Sequence, residues 1–343
     1  TPRRRSRQEV VCVDIDIVIK LINALLAVVL GVLGALLLYW LLNKIVERLP
    51  NRLEDRVKPW IFIGPAVLLV GLFLIYPAIR TIILSFANST STAWVGTENY
   101  TNLLGSDSFQ QVLINTLLWM IVVPTMSVAL GLVVAVLADR LNPRNEKLSK
   151  SLIFMPMAIS MVGAAAIWKI IYEAKPAGSE QTGLLNAIWV GLGGEPQAWL
   201  QFSQLRINSL LLMVILIWLQ AGFCMVLLSA AIKGVPEDTI EAGRIDGASE
   251  LAIFFRIVVP QIWPTVITVF VTVLIGVMKV FDIVYVMTGG NFNTDIVGNR
   301  FFSELFTNGN AGNAAAIVVM LMIAIVPFMV YQVRQFRRQE VER

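Results

Sequence analysis

With 343 residues, 57% of them apolar, 15% charged and a mean hydropathy of +0.74, the chain carries more apolar surface than a soluble globule of this size can hide. A net charge of only +4 gives no basis for a nucleic-acid partner, and Cys12 and Cys224 are too few and too far apart for a disulfide framework or a metal motif. There is no histidine, which excludes histidine acid–base chemistry, histidine-ligated metals and serine–histidine nucleophiles.

The apolar residues gather in runs of about 20, enough to cross a hydrocarbon layer of about 30 Å at about 1.5 Å per helical residue. Seven spans are expected, at 22–42, 60–84, 112–138, 152–171, 207–232, 266–287 and 314–333. The fold class is therefore all-α, a polytopic transmembrane helical bundle embedded in membrane lipid. Ahead of the first run stand Arg3, Arg4, Arg5 and Arg7, followed by Glu9, Asp14 and Asp16. No small-residue cleavage site follows that run, and the acids argue against a twin-arginine signal. The expectation is a disordered tail, or a start placed too far upstream. Residues 184–192 are apolar but too short to span, so they read as a helix lying at the surface or a re-entrant piece.

Basic residues orient the bundle. If the loop after the fifth span is cytoplasmic, the same side holds Lys44, Arg48, Arg52, Arg56 and Lys58, then Arg140, Arg144, Lys147 and Lys150. It also holds Lys233, Arg244 and Arg256, and the C-terminal Arg334, Arg337, Arg338 and Arg343. Between residues 86 and 111 the opposite side has no basic residue, and its later loops hold only Lys175, Arg206 and Arg300. The N-terminal arginines alone run against this asymmetry. The C-terminus is expected in the cytoplasm of a bacterial cell, with the chain crossing the inner membrane.

The loop between the fifth and sixth spans is the most informative segment. Pro236, Glu237 and Asp238 make a helix start, with proline tolerated early and acids favoured by the dipole. Gly247 permits a turn, and Leu251, Phe254, Phe255 and Val258 recur at helical spacing in a second amphipathic stretch. Pro260 and Pro264 are expected to break that stretch before the next span. A helix–turn–helix with exposed apolar residues calls for a partner protein to bury them.

This stretch resembles the EAA loop of binding-protein-dependent ABC importer permeases, with Glu241, Ala242, Gly247, Ile257 and Pro260 at matching positions. Gly243 replaces the third residue of the triplet, which weakens the helix by up to about 1 kcal/mol, and Val259 replaces a leucine. The likeness extends from Trp60 to the C-terminus through Asn115-Thr116, Pro156, Trp168, Gly183–Asn186, Trp199-Leu200 and Gly312 with Ala314–Ala316. Gly289–Asp295 and Asn299-Arg300-Phe301 look most like the α-glucoside branch, first permease of a pair.

The resemblance implies a type I importer permease fold and a loop that docks a coupling helix into an ATP-binding subunit. Glu241 would face a basic residue there, and Ala242, Ile245 and Phe254 would pack into a groove, with Gly243, Asp246, Gly247, Ile257 and Pro260 completing the loop. The implied partners are a second permease, a dimer of ATP-binding subunits, an extracytoplasmic solute-binding protein and a saccharide. ATP and magnesium belong to the partner ATPase: this chain has no G-x-x-x-x-G-K-[ST] phosphate loop and no cofactor of its own.

Polar groups inside spans are costly and are functional candidates. Lys279 and Asp282, three apart, are expected on one helical face as an ion pair, serving either an outer gate or the substrate. Gln220 and Phe223 lie mid-span at positions that match sugar contacts in maltose-importing members of the family. Gln220 would hydrogen-bond a hydroxyl and Phe223 would stack on a ring, or Gln220 serves as helix–helix glue. The corresponding positions of the sixth span, Val273, Val277 and Val280, are apolar here. The expected organisation is residues 1–59 as tail, extra span and basic linker, 60–111 as span and outer loop, 112–336 as permease core with the loop at 235–264, and 337–343 as tail. The competing class is an ion-coupled secondary transporter or a channel, which would call for mid-membrane carboxylates or an internal repeat.

Overall fold

In a hydrocarbon environment each backbone N–H and C=O must find its partner inside the segment, so long apolar runs fold as helices. The computed structural model describes residues 3–47 and 50–341, with side chains for all of these except 3–17, 45, 51–56, 336 and 338–341. Two units divide the chain, Thr1–Arg80 and Thr81–Arg343. The first holds α1 (Arg3–Val46) and α2 (Asn51–Val70), which runs through a π turn at Gly71–Ile75 into α3 (Tyr76–Leu84). The backbone is helical from Arg3, so the disordered tail expected around the N-terminal arginines is corrected. Between α1 and α2, Tyr39 stacks on Phe62 with ring centroids 6.1 Å apart.

The second unit carries α4 (Glu98–Gly105), α5 (Asp107–Asp139), α6 (Pro143–Phe154), α7 (Met161–Ile171), α8 (Leu184–Gly191) and α9 (Ile207–Lys233). It continues with α10 (Glu237–Ile245), α11 (Glu250–Ile253), α12 (Val259–Val277), α13 (Asp282–Met287), α14 (Val297–Phe302) and α15 (Ala311–Val341). Among the described residues there is no β-strand, only an isolated bridge between Ala87 and Trp94. Among the described residues six helices are long and apolar enough to cross a membrane, and a bent pair, taken as one span, gives up to seven.

α9 is the axis of the core. Leu212, Met213, Leu216, Met225 and Leu228 on it are buried against Trp119, Val123 and Ala135 of α5, Val269 and Val273 of α12, and Ile283 and Val284 of α13. α5 and α9 approach closely at Gly131, where an added Cβ would lie 2.5 Å from Cys224 Cβ and 2.8 Å from Met225 N. Small residues at helix crossings are the usual means of close approach in membranes. A second cluster of Leu103, Phe109, Val112, Val297, Ala316 and Ile317 joins α4, α5, α14 and α15.

Two expected spans are corrected. The fourth, placed at 152–171, is a broken span: Pro143–Ala158 and Met161–Ile171 meet at 102°. Ile159 is extended there, and Ser160 caps α7 by accepting a hydrogen bond from Gly163 N at 3.1 Å. The sixth, placed at 266–287, begins at Glu250 and ends at Val277. Pro260 and Pro264 do not break it. A π turn at Phe254–Val258 widens the backbone just before Pro260, and Pro264 is carried inside α12.

Candidate functional site

The loop after α9 is built from its caps. Pro236 is extended and Glu237 and Asp238 occupy the first turn of α10, where the dipole favours acids. At the far end Asp246 N donates to Ala242 O at 2.9 Å, and Ala248 N donates to Gly243 O at 3.0 Å. Between them Gly247 sits at φ +77, a left-handed conformation that closes the helix and suits glycine. Ser249 Oγ then accepts from Ala252 N at 3.3 Å and starts α11. Across the turn, Arg244 Nε donates to Glu250 Oε1 at 2.8 Å, fixing the two helices to each other. That hydrogen bond, followed by the charge of Glu250, raises the pKa of Arg244.

Gly243 is the contact point between the two helices. It is buried, and an added Cβ would fall 2.8 Å from Ile257 Cδ1 and 3.3 Å from Ile253 Cγ1. The expected weakening of the loop at this position is therefore joined by a packing role: the missing side chain lets α10 lie on the start of the sixth span. The outer face presents Glu241, Ala242, Ile245, Asp246, Leu251 and Phe255 to the surroundings. Ile245, Leu251 and Phe255 are 85%, 69% and 64% exposed.

Phe254 is a partial correction. It packs against the core with its ring 5.1 Å from that of Phe255, and Phe255 is the phenylalanine left exposed. The π turn adds a residue to the local repeat and rotates the face by one position, which simple helical spacing does not anticipate. Ile257 is half-buried beneath Gly243, and Pro260 is exposed at the start of α12.

The loop end of the bundle is locked by ions. Lys150 of α6 donates to Asp139 of α5 at 2.6 Å, to Glu146 at 2.6 Å and to Ser229 of α9. Lys233 pairs with Glu146, and Ser229 Oγ donates to Asp139 Oδ1 at 3.0 Å. Three helices therefore meet in one network beside the coupling loop.

Gln220 lies 13 residues from each end of α9, so it is at mid-helix, roughly 20 Å from either terminus. Its amide makes no hydrogen bond among the described residues, so no glue role is fulfilled within the chain. Phe223 is half-buried and packs against the core. The break of the fourth span lies at the same level: a Cβ at Gly222 would meet Ile153 O at 2.5 Å and Phe154 Cα at 2.8 Å. Nearby, Trp168 stands edge-on to Trp218 with centroids 5.9 Å apart, and its buried Nε1 has no partner. A broken helix at membrane depth is tolerated where it is enclosed by protein or lines a cavity. Pro156 lies just before that break, inside a stretch expected from sequence as one continuous span.

Lys279 and Asp282 are not on one helical face. α12 ends at Val277, Phe281 has a non-helical backbone, and Asp282 begins α13. Lys279 is exposed, and no ion pair joins it to Asp282 among the described residues. The helix stops at Val277, with Met278 as its cap, and the following turn is closed by Lys279 N to Gly276 O and Val280 N to Val277 O.

Among the described residues the second unit is an all-helical bundle with a broken span beside its central helix and an apolar-tipped loop projecting from one end. The structure aligns over 84% of this chain and 98% of the matched chain, at a TM-score of 0.69 and 19% identity, with a chain from a crystal structure of the bacterial alginate ABC transporter in complex with an alginate pentasaccharide-bound periplasmic protein, so the fold is shared. Residues 127–340 match the family of binding-protein-dependent transport system inner membrane components, and the chain belongs to that family. It is 45% identical over 93% of its length and 98% of the relative's to the alpha-glucoside transport system permease protein AglF of Rhizobium meliloti. It is 46% identical over 81% of its length and 99% of the relative's to the osmoprotective compounds uptake permease protein GgtC of Synechocystis sp.. The chain is thus a transport subunit of an ABC importer rather than an enzyme, and the ion-coupled alternative is not favoured.

Proposed function

We propose that this permease imports a saccharide of the α-glucoside class, together with a second permease, a dimer of ATP-binding subunits and an extracytoplasmic solute-binding protein. The 45% identity to an α-glucoside permease over nearly the whole chain carries this reading. In it the loop Glu237–Pro260 faces the cytoplasm, as does the C-terminus, in keeping with the basic residues on that side. Glu241, Ala242, Ile245, Leu251 and Phe255 meet the ATP-binding subunit, and Gly243, Gly247, Arg244 and Glu250 hold that surface rigid. ATP and magnesium are bound by the partner. A push on α10 passes through Gly243 and Ile257 into the continuous helix that ends at Val277.

Gln220 and Phe223 form this chain's share of the sugar site, supported by the free amide at mid-helix and the adjacent break of the fourth span. Replacing Gln220 by alanine removes one or two hydrogen bonds to a hydroxyl, and uptake of maltose or trehalose falls about ten-fold. Phe223→Ala adds a loss of ring stacking of similar size. The measurement is initial uptake by the assembled importer in vesicles, and wild-type kinetics in both variants would remove these residues from the site. The similarity to the permease for osmoprotective compounds favours a second reading, uptake of such a compound, which competition between it and maltose would separate.

A further inference from the structure

At the end of the bundle opposite the coupling loop, the start of α5 meets the segment between α13 and α14, and Arg300 of α14, around a cavity of about 240 Å³. The α5 residues that line it lie 24 to 31 positions before Asp139, so this cavity is roughly 40 Å from the Lys150 network. Its wall is polar: Gln111, Asn115, Asn293, Asp295 and Arg300, with Phe292 as the one aromatic face.

The wall is rigid. Arg300 Nε donates to Asp295 Oδ2 at 2.8 Å, and its Nη2 donates to Ser108 Oγ at 2.7 Å. Asn115 Nδ2 donates to the carbonyls of Asn293 at 2.6 Å and Asp295 at 2.9 Å. Arg206 donates to Gln111 Oε1 at 2.6 Å and to Asn115 Oδ1. Phe292 and Asn293 are held at φ +57 and +61, and Arg206 at +57, a left-handed conformation that non-glycine residues rarely adopt. Such strain persists where the surroundings enforce it, and it clusters at ligand-holding sites.

Hydrogen-bonding capacity is left over. Among the described residues the side-chain amide of Asn293 has no partner, nor do Gln111 Nε2 and Arg300 Nη1. Unspent amide and guanidinium donors beside an exposed aromatic ring suit vicinal hydroxyls. The volume falls below the roughly 300–1,000 Å³ of drug-sized ligand pockets, a size for one ring rather than an oligosaccharide.

We infer that this cavity is a transfer subsite that holds one sugar ring as the substrate passes from the binding protein toward the mid-membrane site. The inference rests on the saccharide reading above. Its occupant is the sugar rather than a side chain of the binding protein, because the free groups are directional hydrogen-bond donors and most of the lining is polar.

The test uses the complete importer in proteoliposomes with loaded binding protein, following both trehalose taken up and ATP hydrolysed. In Asn293→Ala, and in Gln111→Ala, sugar moved per ATP falls about ten-fold, because ring contacts are lost at handover. Asn293→Ser, which keeps a hydroxyl, recovers part of that ratio. An unchanged ratio overturns the subsite. Uptake and hydrolysis falling together is also an unchanged ratio, and would mean that the cavity receives the binding protein itself. If the wild-type importer carries no saccharide at all, the proposed function fails and the subsite with it. Intact wild-type transport with unaffected variants removes the subsite alone.

Discussion

Phe255→Asp is expected to reduce uptake by about 100-fold while the chain still inserts and pairs with its partner permease. The side chain is 64% exposed and lies outside the buried core, its one ring contact being with Phe254, so the core is retained without it. Burying a phenylalanine in a partner's groove is worth about 2–3 kcal/mol, and about 1.4 kcal/mol corresponds to a factor of ten. An aspartate in the same groove adds a desolvation cost on top of that loss. Leu251→Asp, on the same exposed face, is expected to act in the same direction. Co-purification of the ATP-binding subunit with the permease pair should fall in parallel. Phe254→Leu, which keeps an apolar side chain against the core, is the comparison that separates docking from folding. If Phe255→Asp transports normally, the exposed face of the loop is not where the ATPase binds.

The second large effect is on stability. In Gly131→Ala a methyl group is placed 2.5 Å from Cys224 Cβ and 2.8 Å from Met225 N, so α5 and α9 must separate at the centre of the core. Overpacking costs typically about 1–3 kcal/mol, and more where backbone is the obstacle, so the unfolding midpoint in detergent drops by on the order of 5–10 °C. Gly131→Leu is expected to give no folded protein. Gly276→Ala provides the control, since that glycine lies in α12 with nothing within 4 Å of the added Cβ. A midpoint for Gly131→Ala equal to that of Gly276→Ala would mean that the helices do not cross as closely as described.

The coupling loop was legible from sequence because its elements are local. Acids at a helix start, a glycine at the turn and a fixed spacing to Pro260 all lie within a few turns of one another. The apolar spans were legible for a related reason, since length and hydropathy alone decide what a helix can cross. What escaped the reading depends on backbone geometry. The apolar run around Pro156 gives no sign that the chain bends through 102° there. A π turn that carries the helix up to Pro260 and Pro264, and turns Phe255 outward in place of Phe254, leaves no mark on simple periodicity. The same limit explains Lys279 and Asp282, whose three-residue spacing suggests a pair only if the helix continues, and it ends at Val277.

The outer cavity lay further from reach. Arg300 and Ser108 are 192 residues apart, and Asn115 and Asp295 are 180 apart. Ser108 and Asn115 stand on α5, Asp295 and Arg300 some 180 residues later, and only the packing of α5 against the segment after α13 brings them together. Gln220 is intermediate. Its position in α9 marked it as a candidate, while its lack of a hydrogen-bond partner among the described residues emerged from the structure.

The most direct test of ATP-driven import through this permease is uptake of labelled maltose by proteoliposomes containing the two permeases, the ATPase and the binding protein. Transport is expected to require both ATP and the binding protein, and to persist when ionophores collapse the proton and sodium gradients. Uptake that continues without ATP and stops when the gradients collapse would contradict the account.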